Sequence, residues 1–82
     1  METKAEEKKL NDLLWKIGQK VKMLREEKGI SQEELSFCAN IHRTQVSRIE
    51  NGENNVSMRS LVRLANYFQV EINEFFDFKD IK

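Results

Sequence analysis

An all-α fold, a compact bundle of about five helices, is what this 82-residue sequence predicts. Three observations carry that expectation. Proline is absent and glycine occurs only three times, so little interrupts helix propagation. Runs of β-branched residues are few. Apolar residues also recur at the spacing of an α-helix, between short segments that carry capping signals.

The first helix is marked by Leu10, Leu13, Leu14, Ile17, Val21 and Leu24, which fall on a single helical stripe. Arg25 to Lys28 give it a basic end, and Gly29 stands where a left-handed C′ residue is expected. Ser31 then reads as an N-cap, with Glu34 three residues on to complete a capping box. The second helix is expected from Gln32 to Ala39. A third begins near His42 and stops at Gly52. Ser57 opens a fourth, with Met58, Leu61, Leu64, Ala65 and Phe68 on its inner face, and a last short helix covers Ile72 to Phe76. Residues 1–8, METKAEEK, read as a loose arm, residues 9–78 as a single domain, and residues 79–82 as a tail.

Composition narrows the function. A chain this short buries roughly 60% of its unfolded surface and has room for one core. Charged residues make up 34% and hydrophobic ones 39%, which excludes a disordered tail and a membrane protein. Wholly apolar runs are three residues or fewer, too short for a transmembrane helix or a signal-peptide core. Cys38 is the only cysteine, so it has no internal disulfide partner, and with His42 as the only histidine it builds no zinc site. Cytoplasm is the default compartment. A phosphate-binding glycine loop, a nucleophile set and a metal cluster are all missing, so neither an enzyme nor a cofactor or small-molecule ligand is expected.

The join between the second and third helices sets the architecture. The chain must turn sharply between Ala39 and Ile41, and Asn40 tolerates the left-handed conformation that this needs. Leu35, Ala39, Ile41, Val46 and Ile49 are spaced to pack two short helices at a steep angle. That is a helix-turn-helix, whose second helix enters the major groove of DNA.

The stretch "SQEELSFCANIHRTQVSRIENG" resembles the helix-turn-helix of Cro and phage-repressor proteins, the XRE family. The likeness runs from about Ile17 to Phe76. It combines a Gln opening the second helix, a turn residue eight positions later, and an Ile-Glu-Asn-Gly ending to the third. "IHRT", Ser47 and "NNVS" further resemble the controller proteins of restriction-modification systems. The resemblance implies a lambda-repressor-like domain that regulates transcription by binding double-stranded operator DNA, usually as a symmetric homodimer. Three positions depart from the family pattern. Asn40 stands where glycine is common, His42 replaces a Ser or Thr N-cap, and Glu53 follows Gly52 where Lys or Arg is frequent.

Within that frame, Arg43, Thr44, Ser47 and Arg48 are the expected base-contacting residues. Arginine can grip guanine O6 and N7 with two hydrogen bonds, and threonine can meet a thymine methyl. Gln45 flanks that face and His42 lies near the phosphates. Gln32 and Asn51 match positions that contact phosphate in the family, although Asn51 reads equally well as a simple helix cap. Arg59 and Arg63 extend the basic edge or serve only solubility. Arg25 and Glu50 occupy positions that form an ion pair in the family, tying the first helix to the third. Trp15 and Cys38 read as core or half-buried residues. Five of the seven aromatics fall in the last part of the chain. Phe68 and Phe75 are expected in the core, and Tyr67, Phe76 and Phe78 at a dimer interface. The rival reading is a helix-turn-helix used as a protein-interaction module, an antitoxin-like partner binder. The zero net charge favours that rival, and the arginines on the third helix favour DNA.

Overall fold

The computed structural model describes residues 3–53 and 56–81, so Asn54 and Asn55 of the "NNVS" stretch lie outside the described residues. Among the described residues four α-helices follow one another: α1 (Lys4–Glu27), α2 (Gln32–Ala39), α3 (Arg43–Glu50) and α4 (Met58–Phe68). A 3₁₀ helix over Ile72–Phe76 closes the fold where a last short helix was expected.

Helix starts are written in side-chain oxygens. The Ser31 hydroxyl accepts from the Glu34 N–H at 3.0 Å, while the Glu34 carboxylate accepts from the Ser31 N–H at 3.2 Å. This reciprocal box satisfies two donors that the first turn leaves unpaired. Ser57 caps α4 in the simpler way, accepting from the Ser60 N–H at 3.1 Å. Between α2 and α3, Asn40 adopts the left-handed conformation at φ 57°, and the Ile41 N–H closes back onto the Ser36 carbonyl at 2.9 Å. At the end of α4, Gln69 takes the same conformation at φ 58°.

One face of each helix feeds a single core. Val21 of α1, Leu35 of α2, Val46 and Ile49 of α3, Leu61 and Leu64 of α4, and Phe75 are all essentially removed from solvent. Each such side chain contributes about 1.5–3 kcal/mol by leaving water. Phe68 and Phe75 take the core positions expected of them.

The structure differs from expectation along α1. The stretch taken for a loose arm is helical from Lys4 onward, begun by Thr3, whose hydroxyl accepts from the Glu6 N–H at 3.1 Å. At 1.5 Å per residue, α1 is about 36 Å long, against a longest molecular dimension of 37 Å. Its first turns therefore outrun the bundle. Leu10 and Leu13, at 42% and 44% exposure, continue the apolar stripe beyond the point where it is covered, and burial starts at Leu14. Trp15 and Cys38 are likewise exposed rather than packed inside. Met58 at 60% exposure is not on the inner face of α4, because Ser60 and Leu61 set the buried arc one turn further in.

Candidate nucleic-acid interface

Helix α3 turns Val46 and Ile49 into the core and leaves Arg43, Thr44 and Arg48 exposed, with Gln45 and Ser47 half-buried. Arg43, Thr44, Ser47 and Arg48 line one shallow groove together with Gln32 of α2 and Glu53 of the following loop. The structure thus brings together the four side chains expected to meet bases and one of those expected to meet phosphate. His42, Gln45 and Asn51 do not line that groove. His42 caps α3, its Nδ1 accepting from the Thr44 N–H at 3.2 Å, so imidazole replaces the usual hydroxyl. Asn51 is the C-cap residue of α3.

One wall of the groove, Gln32, is tied to a buried carboxylate. Arg25 donates from Nε to Glu50 Oε2 at 2.7 Å and from Nη2 to Oε1 at 3.0 Å, a two-pronged pairing that only guanidinium geometry allows. A third bond, from Nη1 to the Ile30 carbonyl at 2.8 Å, fixes the fork against the loop before α2. Gln32 Nε2 adds a donor to Glu50 Oε1 at 3.0 Å. Helices α1, α2 and α3 therefore share one carboxylate, and no buried side-chain polar atom among the described residues lacks a partner. The hydrogen bond to Glu50 raises the Arg25 pKa above its already high ordinary value, against the opposing effect of burial. The expected ion pair is present. The bond from Gln32 to Glu50 was not legible in the sequence, because nothing in the spacing of residues 32 and 50 announces it.

A second contact sets the position of α3. Gly18 of α1 packs against the carbonyls of Ile49 and Glu50, and any Cβ there would run into the Ile49 oxygen. Gly52, at φ 72°, turns the chain beside the Trp15 backbone, where a Cβ would lie 2.9 Å from the Trp15 Cα. Two glycines thus let α1 lie close against the end of the recognition helix.

The electrostatics of the groove are mixed. Arg43 Nη1 stands 3.8 Å from Glu33 Oε2, with both side chains exposed, and Glu53 lines the same groove as Arg48. An exposed pair of this kind is worth about 1 kcal/mol or less, so it does not fix Arg43 in place. Arg63 donates from Nη1 to the Asn40 carbonyl at 3.0 Å and so buttresses the turn before α3.

Of the residues expected at a dimer interface, Phe76 is 46% exposed. Tyr67 and Phe78 are partly buried against the domain's own core, Tyr67 tilted on Phe68 with ring centres 5.2 Å apart. Lysine ammonium groups sit over both rings, Lys28 over Tyr67 at 5.2 Å and Lys16 over Phe78 at 5.6 Å. The most exposed aromatic is Phe37, at 88%. Its position two residues from both Leu35 and Ala39 places it on the outer face of α2, a signal present in the sequence and overlooked.

Comparison with known proteins agrees with this geometry. The helix-turn-helix family model matches residues 21–75. The control protein C.BamHI of Bacillus amyloliquefaciens is 36% identical over 72 residues, covering 87% of this chain and 89% of that protein. The control protein C.MunI of a Mycoplasma species is 37% identical over 68 residues, covering 82% and 92%. Among solved structures, the restriction-modification controller protein C.AhdI of Aeromonas hydrophila superposes with a TM-score of 0.73 at 40% identity, covering 77% of this chain and 96% of that one. The controller protein C.Esp1396I, solved as a tetramer on its natural 35-base-pair operator, superposes with a TM-score of 0.69 at 35% identity, covering 79% and 86%. The chain belongs to the helix-turn-helix family, among the controller proteins of restriction-modification systems.

Proposed function

We propose that this protein is a sequence-specific transcriptional regulator that binds operator DNA as a homodimer, with α3 in the major groove. One observation carries the reading: Arg43, Thr44, Ser47 and Arg48 share a groove with Gln32, which is itself bonded to the Arg25–Glu50 pair. Rigid placement lowers the ordering cost of binding, so the donors meet base edges already aligned. Arg43 and Arg48 are assigned to guanine contacts, and Thr44 and Ser47 to neighbouring base edges. Gln32 supplies a phosphate contact through the amide N–H left over from its bond to Glu50, with His42, Gln45 and Asn51 as flanking contacts.

A single α3 touches too few base pairs to pick one site among millions, and a two-fold dimer doubles the reading. Half-sites then lie about 10 base pairs apart. Phe76, with Tyr67 and Phe78 beside it, is assigned to the dimer contact. The protein works in the cytoplasm, where the operator is, and needs neither a catalytic group nor a cofactor. No helix among the described residues is long and apolar enough to cross a membrane.

The test is competition binding with duplexes selected by the wild type from a random pool. Arg43→Ala and Arg48→Ala each lose roughly 1–3 kcal/mol and relax preference at one base pair per half-site. Unchanged base preference in both variants refutes direct reading by these arginines. Phe76→Glu should shift sedimentation toward the monomer and weaken selected duplexes more than random ones.

A further inference from the structure

Zero net charge poses a problem for a DNA-binding protein, because phosphate contacts supply much of the affinity. The recognition groove does not solve it, since Arg43 and Arg48 are offset there by Glu33 and Glu53. Cations must be collected elsewhere.

Helix α1 carries such a collection. Lys4, Lys8, Asn11, Trp15, Gly18, Lys22 and Arg25 follow one another by alternating steps of four and three, so they form one row along the helix. None of these seven is an acid. Three of its members define where it points, because each meets the end of α3 or the loop after it: Arg25 at Glu50, Gly18 at the Ile49 and Glu50 carbonyls, Trp15 at Gly52. This is the face of α1 that abuts the recognition helix. Beyond Gly52 the same face continues as Asn11, Lys8 and Lys4, all exposed. At 1.5 Å per residue, Lys8 and Lys4 stand about 10 and 16 Å along the axis from Trp15. The major groove that receives a recognition helix is about 12 Å wide, so the bordering phosphate ridge falls within lysine reach of these positions. Glu7, three residues from Lys4 and four from Asn11, and Glu26, four from Lys22, border the row, so its exposed end of Lys4, Lys8 and Asn11 keeps a net positive charge of one; Asp12 is already paired with Lys16 at 3.1 Å.

Building on the DNA-binding reading above, we propose that Lys4, Lys8 and Asn11 form a phosphate clamp, gripping the sugar-phosphate ridge that flanks the segment read by α3. The clamp is contributed by the turns of α1 that outrun the bundle. It adds affinity without sequence preference, and it gives a neutral protein a cationic edge on the side where phosphates lie.

The experiment measures affinity for a random-sequence duplex and for a duplex selected by the wild type, over a salt series. Three proteins are compared: wild type, Lys4→Gln/Lys8→Gln, and Lys9→Gln, whose exposed lysine is off the row. Glutamine keeps the helix propensity of lysine, and circular dichroism confirms that α1 is intact. The double variant removes four phosphate contacts per dimer, so it should lose about 3.6 from the slope of log affinity against log salt and bind about 10-fold or more weakly to both duplexes at low salt. Its base preference should be unchanged, and Lys9→Gln should match the wild type. A double variant with wild-type slope and affinity overturns the clamp while leaving the DNA reading intact. Equal losses in Lys9→Gln and the double variant also overturn it, since they show only a general charge effect. A wild type that binds neither duplex overturns both readings together.

Discussion

Among the described residues the fold buries two ionisable side chains, Glu50 and Lys20, and treats them differently. Glu50 receives two bonds from Arg25 and one from Gln32, and Arg25 itself is only 13% exposed. Lys20 is as deeply placed, but its partners stand in water: Glu74 at 3.0 Å and Asp80 at 3.9 Å are 39% and 71% exposed. The first arrangement is closed. Each polar atom has a fixed partner, so removing one leaves a charge buried with no compensation. The second is open, and solvent can replace either acid. Directional guanidinium bonds orient α3, whereas a lysine point charge only ties the end of the chain to α1.

Removing one side of the closed network gives the largest effect expected here. Arg25→Met leaves Glu50 without its counter-charge and should destabilise the fold by about 3–5 kcal/mol in urea unfolding. A double replacement, Arg25→Met with Glu50→Met, should cost less than the sum of the two single changes. Additive losses would show that the two groups do not act as a unit.

Gly18→Ala tests whether close approach of α1 matters as much as charge. The added methyl meets backbone carbonyl rather than a movable side chain, so a loss of about 1–3 kcal/mol is expected. Operator affinity should fall further than stability alone explains, because α3 is displaced with Ile49 and Glu50. Affinity that tracks stability alone refutes that displacement.

The open pair should be far more forgiving. Lys20→Met keeps most of the buried stem and discards a charge whose partners are hydrated, so stability should change by about 1 kcal/mol or less. A loss comparable to that of Arg25→Met breaks the distinction between the two sites. Smallest of all, Asp80→Asn should leave the midpoint within about ±0.5 kcal/mol of wild type.

The contrast also explains what the sequence could reveal. Local chemistry was legible: Ser31 and Glu34 announce their capping box, Asn40 its left-handed turn, and Val46 and Ile49 the inner face of α3. The Arg25–Glu50 pair was legible only through family resemblance, because it joins positions twenty-five apart. Burial of Lys20 and the bond from Gln32 to Glu50 depend on how helices stack, which periodicity does not encode. The same limit applies to Leu10 and Leu13. A stripe of leucines says which side of a helix seeks cover, but not where the covering elements end. The exposed polar face of α3 was legible because polar residues on a short helix have a fixed register. Of the acids beside it, Glu53 stood out in the sequence, whereas the approach of Glu33 from α2 emerged only from the packing.

The packing of Trp15 against Gly52 has an optical consequence. The chain holds one tryptophan, it is 44% exposed, and its backbone touches the loop that ends the recognition helix. Indole emission shifts with the polarity and water access of its surroundings. The molecule therefore carries its own label on α1: the Trp15 backbone abuts the loop after α3, and the residue shares a shallow depression with Gln19, Lys22, Met23, Glu26, Asp80 and Ile81. Excitation at the red edge of the protein band selects that single fluorophore over Tyr67, so each emission spectrum reports on one defined spot. Stopped-flow mixing with duplex could then time changes around Trp15 on α1 without chemical modification.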